Sequence, residues 1–337
     1  MRKMLLLLGM ASSGLLSAQS NINDLLAAGL DDAERFTNAY LSPVSEGALY
    51  ALSSGWYNTA DAKPFLGFEI SVIGNMTGFK NKDDKTSFVL NTADYENLQF
   101  VDMSTSKRVS TGLGDIEGVM VFVEGEIAPG VTTREEFELP SGLAAEDLNF
   151  IPSAYLQAAV GLIKGTELKV RFLPKIATDD VSIGLYGVGL QHEFTKHLPA
   201  DKLWPVAISA VIGYTHLDGT YDFSNTDIIE GENQRIDAVM NTWTFQAVAS
   251  TRLPIINFYG GIGYLTGKSE TDILGTYMVG SGPFQETYTD PFSVDTKASG
   301  VTGTVGAKLK LGFFRLNVDY TMAEFNNLSL GVNFGIR

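Results

Sequence analysis

The stretch Glu167-Leu168-Lys169-Val170-Arg171-Phe172-Leu173-Pro174-Lys175-Ile176 sets charged residues against apolar ones at alternate positions for most of its length. Successive side chains of a β-strand point to opposite faces, so this segment has one wet face and one oily face. The pattern returns at Leu66, Phe68, Ile70 and Val72 against Glu69, Ser71 and Asn75. It returns again at Phe314, Leu316, Val318 and Tyr320 against Arg315, Asn317, Asp319 and Thr321. Alternating segments of about ten residues, repeated along a chain, are the pattern of a transmembrane β-barrel that turns apolar groups to lipid and polar groups to the lumen. The expected fold class is therefore an all-β, antiparallel transmembrane barrel.

The first eighteen residues read as a secretory signal peptide: Met1-Arg2-Lys3 is a basic n-region, Met4 to Met10 an apolar core, and Leu16-Ser17-Ala18 a small-residue cleavage site. No later apolar run reaches the roughly 18 residues that a membrane helix needs. An exported integral protein without membrane helices fits the bacterial outer membrane, because only a closed barrel satisfies every strand hydrogen bond in lipid. A soluble periplasmic or secreted β-protein is the alternative. Outer-membrane lipids and the barrel-assembly machinery are the expected partners.

Composition narrows the function classes. Charged residues make up 19% of the chain, below the roughly 25% of ordinary soluble domains. Without Arg2 and Lys3 there remain 22 basic and 39 acidic residues, net −17; such a surface repels nucleic acid. There is no cysteine, which excludes disulfides, iron–sulfur clusters, thioether-linked haem and thiolate zinc sites. No cofactor is expected.

From Ile22 the residues Leu25, Leu26, Gly29, Leu30, Ala33, Phe36, Thr37 and Tyr40 recur at spacings of three and four, with Asp24, Asp31, Asp32 and Glu34 on the other side. This is an amphipathic helix, and Pro43 is expected to stop it. Its apolar stripe needs a surface, and the lumen is the nearest; a periplasmic surface helix or an assembly lever is the alternative. Residues 43–60 are rich in small side chains and read as a compact loop packed inside something. The domain plan is thus a signal peptide at 1–18, a helix and hatch-like segment at 19–63, and a barrel at 64–337.

A signal, a short helix, a small-residue segment and then an alternating first strand resemble the long-chain fatty acid transporter superfamily, in which an N-terminal hatch lies in the pore. The nearer look-alikes are outer-membrane barrels of Bacteroidota, with segments similar to Gly55-Trp56-Tyr57-Asn58-Thr59-Ala60 followed by a strand like Phe65-Leu66-Gly67-Phe68. The specific likeness is confined to about residues 40–75. The superfamily's Asn-Pro-Ala hatch motif is absent; Tyr57-Asn58-Thr59-Ala60 is the closest match. The resemblance implies a hatch at Gly55, Trp56, Tyr57, Asn58 and Ala60, and carries over no substrate-binding residue.

Eleven segments read as strong strands: 64–76, 116–127, 153–164, 167–177, 181–195, 204–216, 236–252, 254–267, 298–311, 313–322 and 327–337. Single-chain bacterial barrels have even counts, with both termini periplasmic. Gly312 and Leu253-Pro254 then fall at periplasmic turns, and 217–235 and 268–297 are long outer loops. Parity asks for one more strand, placed at 86–103, giving twelve. A membrane crossing by the hairpin at 271–295 would give fourteen.

Lys169, Arg171, Lys175, Glu69, Glu124, Glu126, Arg315 and Asp319 all sit at the inward parity of their strands; a basic group facing lipid near the midplane costs about 2–4 kcal/mol. They are expected to face lumen or plug, either as an internal salt-bridge network or as a polar lining in which Lys169 and Arg171 meet a carboxylate head group. An enzyme is not expected: His192 or His216 lies near a strand end with Ser182 and Ser209 on neighbouring strands, but no Gly-x-Ser-x-Gly elbow exists. Asp179-Asp180 reads as turn chemistry rather than a metal site. The leading function is passive uptake of small hydrophobic or amphipathic molecules, with the lumen blocked and the ligand leaving sideways through a strand gap. The alternatives are a plugged structural or secretion partner and, last, a lipid-modifying enzyme.

Overall fold

Residues 25–79, 82–128, 131–178, 180–199, 204–222, 231–279 and 286–336 are described by the structure, a computed structural model; the signal-peptide segment 1–18 and Asp179 lie outside them. In chain order the strands are β1 (Phe68–Gly78), β2 (Ser87–Asn91), β3 (Gln99–Phe100), β4 (Ser106–Ser110), β5 (Met120–Ala128), β6 (Val131–Glu138), β7 (Phe150–Gly161) and β8 (Thr166–Ala177). They continue with β9 (Val181–Glu193), β10 (Val206–Asp222), β11 (Gly231–Thr251), β12 (Ile256–Val279), β13 (Glu286–Thr289), β14 (Phe292–Leu311), β15 (Phe314–Met322) and β16 (Asn326–Ile336). Ten of them close into an antiparallel barrel in the order β1-β7-β8-β9-β10-β11-β12-β14-β15-β16, with β16 returning to β1. Both barrel termini, the β14–β15 turn at Gly312 and the β11–β12 turn at Leu253-Pro254 lie at one end, called the lower end here.

The count is ten, not twelve or fourteen. The segments 116–127 and 86–103 fall on β5 and on β2 with β3, and these pair in two small sheets, β2-β4 and β3-β5-β6, outside the barrel. For β5, which is as long as β15, the reason is burial: Val121, Phe122 and Val123 are buried in succession, which leaves no face for lipid; for β2 it is length. Five residues at about 3.3 Å each reach roughly 17 Å, short of the bilayer core, and after β2 a 3-10 turn at Thr92–Asp94 breaks the direction. Removing both segments keeps the count even. The hairpin at 271–295 does not cross again: it is the upper extension of β12 and β14, with β13 on the edge.

The alternation becomes the two faces of the wall. Phe172 is 53% exposed on the outside while its neighbour Arg171 is 0% exposed inside. Ile70, Val72, Val170, Ile208, Phe258, Val318 and Phe334 are likewise exposed, and together they form an outer apolar belt that only lipid covers without cost. Among the described residues no helix is long and apolar enough to cross a membrane.

Inside runs a 24-residue helix, α1 (Leu30–Ser53), about 36 Å long at 1.5 Å per residue. It starts after Gly29, whose φ of 100° separates it from the turn before. It does not stop at Pro43. An interior proline removes one helix hydrogen bond at a cost of about 3 kcal/mol, but α1 packs against β14, β11, β12, β1, β7 and β10, and from Ala39 to Ser53 none of its residues is exposed, a burial that outweighs the loss. Leu25, Phe36 and Tyr40 meet Leu98, Phe100, Tyr221 and Tyr277 in the upper layer; Leu49, Tyr50 and Leu52 meet Ile73, Tyr155, Leu185 and Leu265 below it. Asp32, expected on the wet side, is buried, and its carboxylate accepts the backbone N–H groups of Glu96, Asn97 and Leu98. Residues 82–149 thus fold over the top of α1, where the Gly112 N–H donates to the Tyr40 carbonyl and Tyr40 Oη to the Ser141 carbonyl.

Candidate functional site: the filled lumen and its unpaired seam

Below α1 the chain is irregular from Ser54 to the start of β1, and many of its polar groups bond to the wall, the Trp56 indole N–H excepted. Ser209 Oγ donates to the Ala60 carbonyl, Gln191 Nε2 to the Thr59 carbonyl at 3.0 Å, and the Ala60 N–H to Ser250 Oγ at 2.9 Å. Trp56 lies flat against β9 and β10, where a Cβ at Gly189 would stand 2.6 Å from the ring and one at Gly213 closer still. These glycines are the socket for the indole. Tyr57 uses Gly261 in the same way, 2.6 Å from a Cβ there to the hydroxyl.

Arg171 holds the middle of the plug. Its Nη1 and Nη2 donate to the carbonyls of Leu52 (2.9 Å) and Ser54 (2.6 Å), and its Nε to Gln157 Oε1 across the β7–β8 pair (2.8 Å). The guanidinium sits between rings, 3.6 Å from the Trp56 centroid and 4.4 Å from that of Tyr155. A fully buried guanidinium costs several kcal/mol of lost hydration; three hydrogen bonds and two cation–π contacts offset it.

Two ion networks close the lower end. In one, Glu69 accepts from Lys308 Nζ at 3.0 Å, from Arg315 and from Asn58 Nδ2 at 2.9 Å, while Glu167 joins Lys63 at 3.1 Å and Lys169 at 3.0 Å. In the other, Glu193 and Asp61 meet Arg252 and Lys196. Each network ties the plug to the wall through Asn58, Asp61 and Lys63. Asp319, one step higher, accepts from Tyr259 Oη at 2.8 Å.

The wall is not zipped everywhere. β7 and β8 pair only from Leu156 with Phe172 to Gly161 with Glu167. Above that no pair joins residues 150–155 to 173–177, all of which are described. Continuing the register would bring Pro174 opposite Ala154 and Pro152 opposite Ile176, so each border carries a residue without an N–H to donate. β8 also shifts register against β9 between Leu173 and Ile176. Behind the opening lie Gly47, Ile151, Leu173 and Leu185, in the apolar layer around Leu52.

Of the lumen residues expected from parity, Glu69, Lys169, Arg171 and Asp319 are buried inside and Arg315 reaches Glu69 from β15. Glu124 is not a lumen residue: it is exposed on β5, outside the barrel. Lys175 is not one either; the bulge at the top of β8 leaves it 64% exposed, 4.0 Å from Asp218. No side chain is described for Glu126. Trp56, Tyr57, Asn58 and Ala60 are all buried in the lumen, with Gly55 half-buried against Tyr155. Sequence reasoning missed Lys63, Lys308, Glu193 and Arg252; the inward parity of Lys308 between Ala307 and Leu309 was the available signal. It also missed the seam, whose signal was a proline inside each of two strands. His192 Nδ1 lies 2.9 Å from Thr166 Oγ1 and His216 Nδ1 2.9 Å from Asn241 Oδ1, so neither histidine is turned to Ser182 or Ser209.

The chain belongs to a family of unknown function (DUF6588), whose sequence profile matches residues 1–336. No curated protein matches it. Among solved structures it is similar to Ail, the attachment invasion locus protein of Yersinia pestis, with 8% identity, 81% of this chain and 100% of that chain covered, and a TM-score of 0.27. It is similar to the translocator domain of the autotransporter NalP from Neisseria meningitidis (12% identity, 86% and 93% covered, TM-score 0.29) and to an outer membrane channel from Pseudomonas putida F1 (9%, 84% and 100%, 0.29). Likeness at this level carries no functional argument, and the barrel rests on the chain's own ladder.

Proposed function

We propose that this barrel passes small hydrophobic or amphipathic molecules sideways through its wall, at the upper half of the β7–β8 seam, while its N-terminal segment keeps the lumen closed. The protein resides in the bacterial outer membrane, lower end toward the periplasm. The observation that carries the reading is the unpaired border between 150–155 and 173–177, which opens onto an apolar layer although β7 stays paired with β1 over the same height and β8 with β9 on either side of its bulge. A molecule entering there passes the exposed Lys175–Asp218 pair at the rim, exchanges lipid for apolar side chains, and meets the next charge at Arg171. The likeness of plan to the long-chain fatty acid transporter superfamily supports the same direction of travel.

The chain lacks cysteine, so Ser153→Cys with Lys175→Cys can be bridged by a short bifunctional thiol reagent. Bridging should abolish uptake of a fluorescent fatty acid into proteoliposomes, and cleaving the bridge should restore it. Uptake that ignores the bridge removes the lateral route.

A second reading, a plugged scaffold or secretion partner, is favoured by the hydrogen bonding of residues 54–63 to the wall on every side. It predicts no uptake in either state, and loss of function on deleting the upper fold at 82–149 instead.

A further inference from the structure

Between the plug and the wall lies a cavity of about 10 Å³, room for one water-sized occupant. Ser54 fixes its place: its carbonyl accepts from Arg171 on β8, and the same residue lines the cavity against β11, β14 and β15 across the ring. The wall contributes Gln246 from β11, Thr302 and Thr304 from β14, and Asp319 and Thr321 from β15. Strand register gathers them. Gly263 stands between Gln246 and Thr302 in the ladder, and a Cβ there would come within 2.7 Å of Gln246 Cγ and 3.0 Å of Thr302 Oγ1. Thr304 and Thr321 are cross-strand partners whose hydroxyl oxygens are 2.9 Å apart. Each of the five side chains offers oxygen.

Two of these groups lack what burial demands. Asp319 is 3% exposed, and its hydrogen-bond partners, Tyr259, Asn317 and Ser329, are all uncharged. Among the described residues no cation pairs with it. The Oε1 of Gln246 is buried and has no hydrogen-bond partner. A buried carboxylate without a counter-charge is strongly unfavourable. A water in the cavity would serve Gln246 and leave that charge uncompensated; a cation serves both. The donor set also selects the cation. Oxygen ligands without imidazole or thiolate favour a hard ion, and one carboxylate balances one positive charge. Calcium takes roughly six to eight oxygens and magnesium keeps several waters, more than this volume holds.

We infer that the cavity binds one dehydrated alkali cation through Asp319 and the Gln246 carbonyl, with the hydroxyls of Thr302, Thr304 and Thr321 around it. Because Ser54 of the plug lines the same space, the ion sits in the joint between plug and wall and stabilises the closed lumen. The site does not depend on lateral transport: a plugged scaffold would hold the same ion.

The test uses the purified full-length barrel in non-ionic detergent and choline chloride, titrated with lithium, sodium or potassium chloride at constant ionic strength, with thermal unfolding as the readout. Choline is too large for the cavity, so a saturable rise in unfolding temperature with one of the three ions reports occupancy. Glu124→Gln, which removes an acid exposed outside the barrel, should respond as wild type does. Asp319→Asn keeps the shape and removes the charge, and should bind at least about tenfold more weakly. Gln246→Met removes the carbonyl while nearly keeping the volume, and should also weaken binding about tenfold; since that oxygen bonds to nothing in the protein, its loss strands no partner, and this variant decides if Asp319→Asn does not fold. No saturable rise in wild type overturns the site. So does half-saturation of the deciding variant at the wild-type concentration, or equal weakening in the Glu124→Gln control.

Discussion

The seam between β1 and β16 and the seam between β7 and β8 are built from the same alternating sequence and behave differently. β1 and β16 are the first and last barrel strands, yet they pair without a break from Phe68 with Ile336 to Gly78 with Asn326. β7 and β8 follow each other through a tight turn, yet only the half next to the turn is paired. Loop closure favours the second pair, so chain connectivity does not explain which seam is complete. Side chains do. The closing seam is bridged inside by Thr77 to Asn327 and Ser329 to Asn75, and it contains no proline. The other has Pro152 and Pro174 on its borders, and its last cross-strand side-chain bond is Gln157 to Arg171.

The largest expected effect tests the complete seam. Truncation after Asn333 removes the partners of Phe68, Glu69 and Ile70 and should abolish most outer-membrane protein with heat-modifiable gel mobility. Normal insertion of the truncated chain would show that closure does not rest on this pairing.

Arg171→Met comes next. It leaves the Leu52 and Ser54 carbonyls and Gln157 without their donor, and should cost about 3–5 kcal/mol in thermal unfolding. Arg171→Lys should recover part of that, since one ammonium cannot reproduce the planar fork. Hydrogen exchange at 156–159 should also quicken, because the upper limit of the zipped half moves down. An unchanged exchange pattern would separate the guanidinium from the seam.

A smaller effect sharpens the contrast directly. In the unmodified protein the amides of 151, 153 and 155 are directed at β1 and should stay protected, whereas that of Ala154 is directed at the open border and should exchange at least about tenfold faster than those of 68–78. Pro152→Thr with Pro174→Thr restores two donors, each worth about 1 kcal/mol if paired, and should slow that exchange, raise the unfolding temperature and reduce probe uptake. The smallest effect is expected at Glu124→Gln and Lys175→Gln, both exposed, which should stay within about 0.5 kcal/mol of wild type. A larger change would return either residue to the lumen.

Legibility followed the physics of each element. Ten barrel strands were readable because one face of each meets lipid and the other meets polar plug, which imposes a strict period of two. β2 and β5 imitate that period over a few residues, since Phe88, Leu90, Val121 and Val123 also cover something apolar, the top of α1. Parity then pressed 86–103 into the wall. Pro43 was over-read because a local rule ignores burial around the whole circumference of the helix. The charges of the lumen followed from strand parity, but their grouping did not: Lys63 comes from the plug, Glu69 from the first strand and Lys308 from near the last, and only closure of the barrel brings them together.

The direction in which α1 runs has a topological consequence. Leu25 and Leu26 pack among Tyr221 and Tyr277 at the upper end, and the chain descends through the ring to emerge below at Lys63 before β1 turns upward along the wall. The molecule is a ring around its own thread, and the cap at 82–149, carried between two strands of the ring, covers the upper end of that thread. A single helix is narrow enough to enter such a ring from below, but a bulky folded body carried ahead of Leu25 would not be, and the ring would have to shut around the thread behind it.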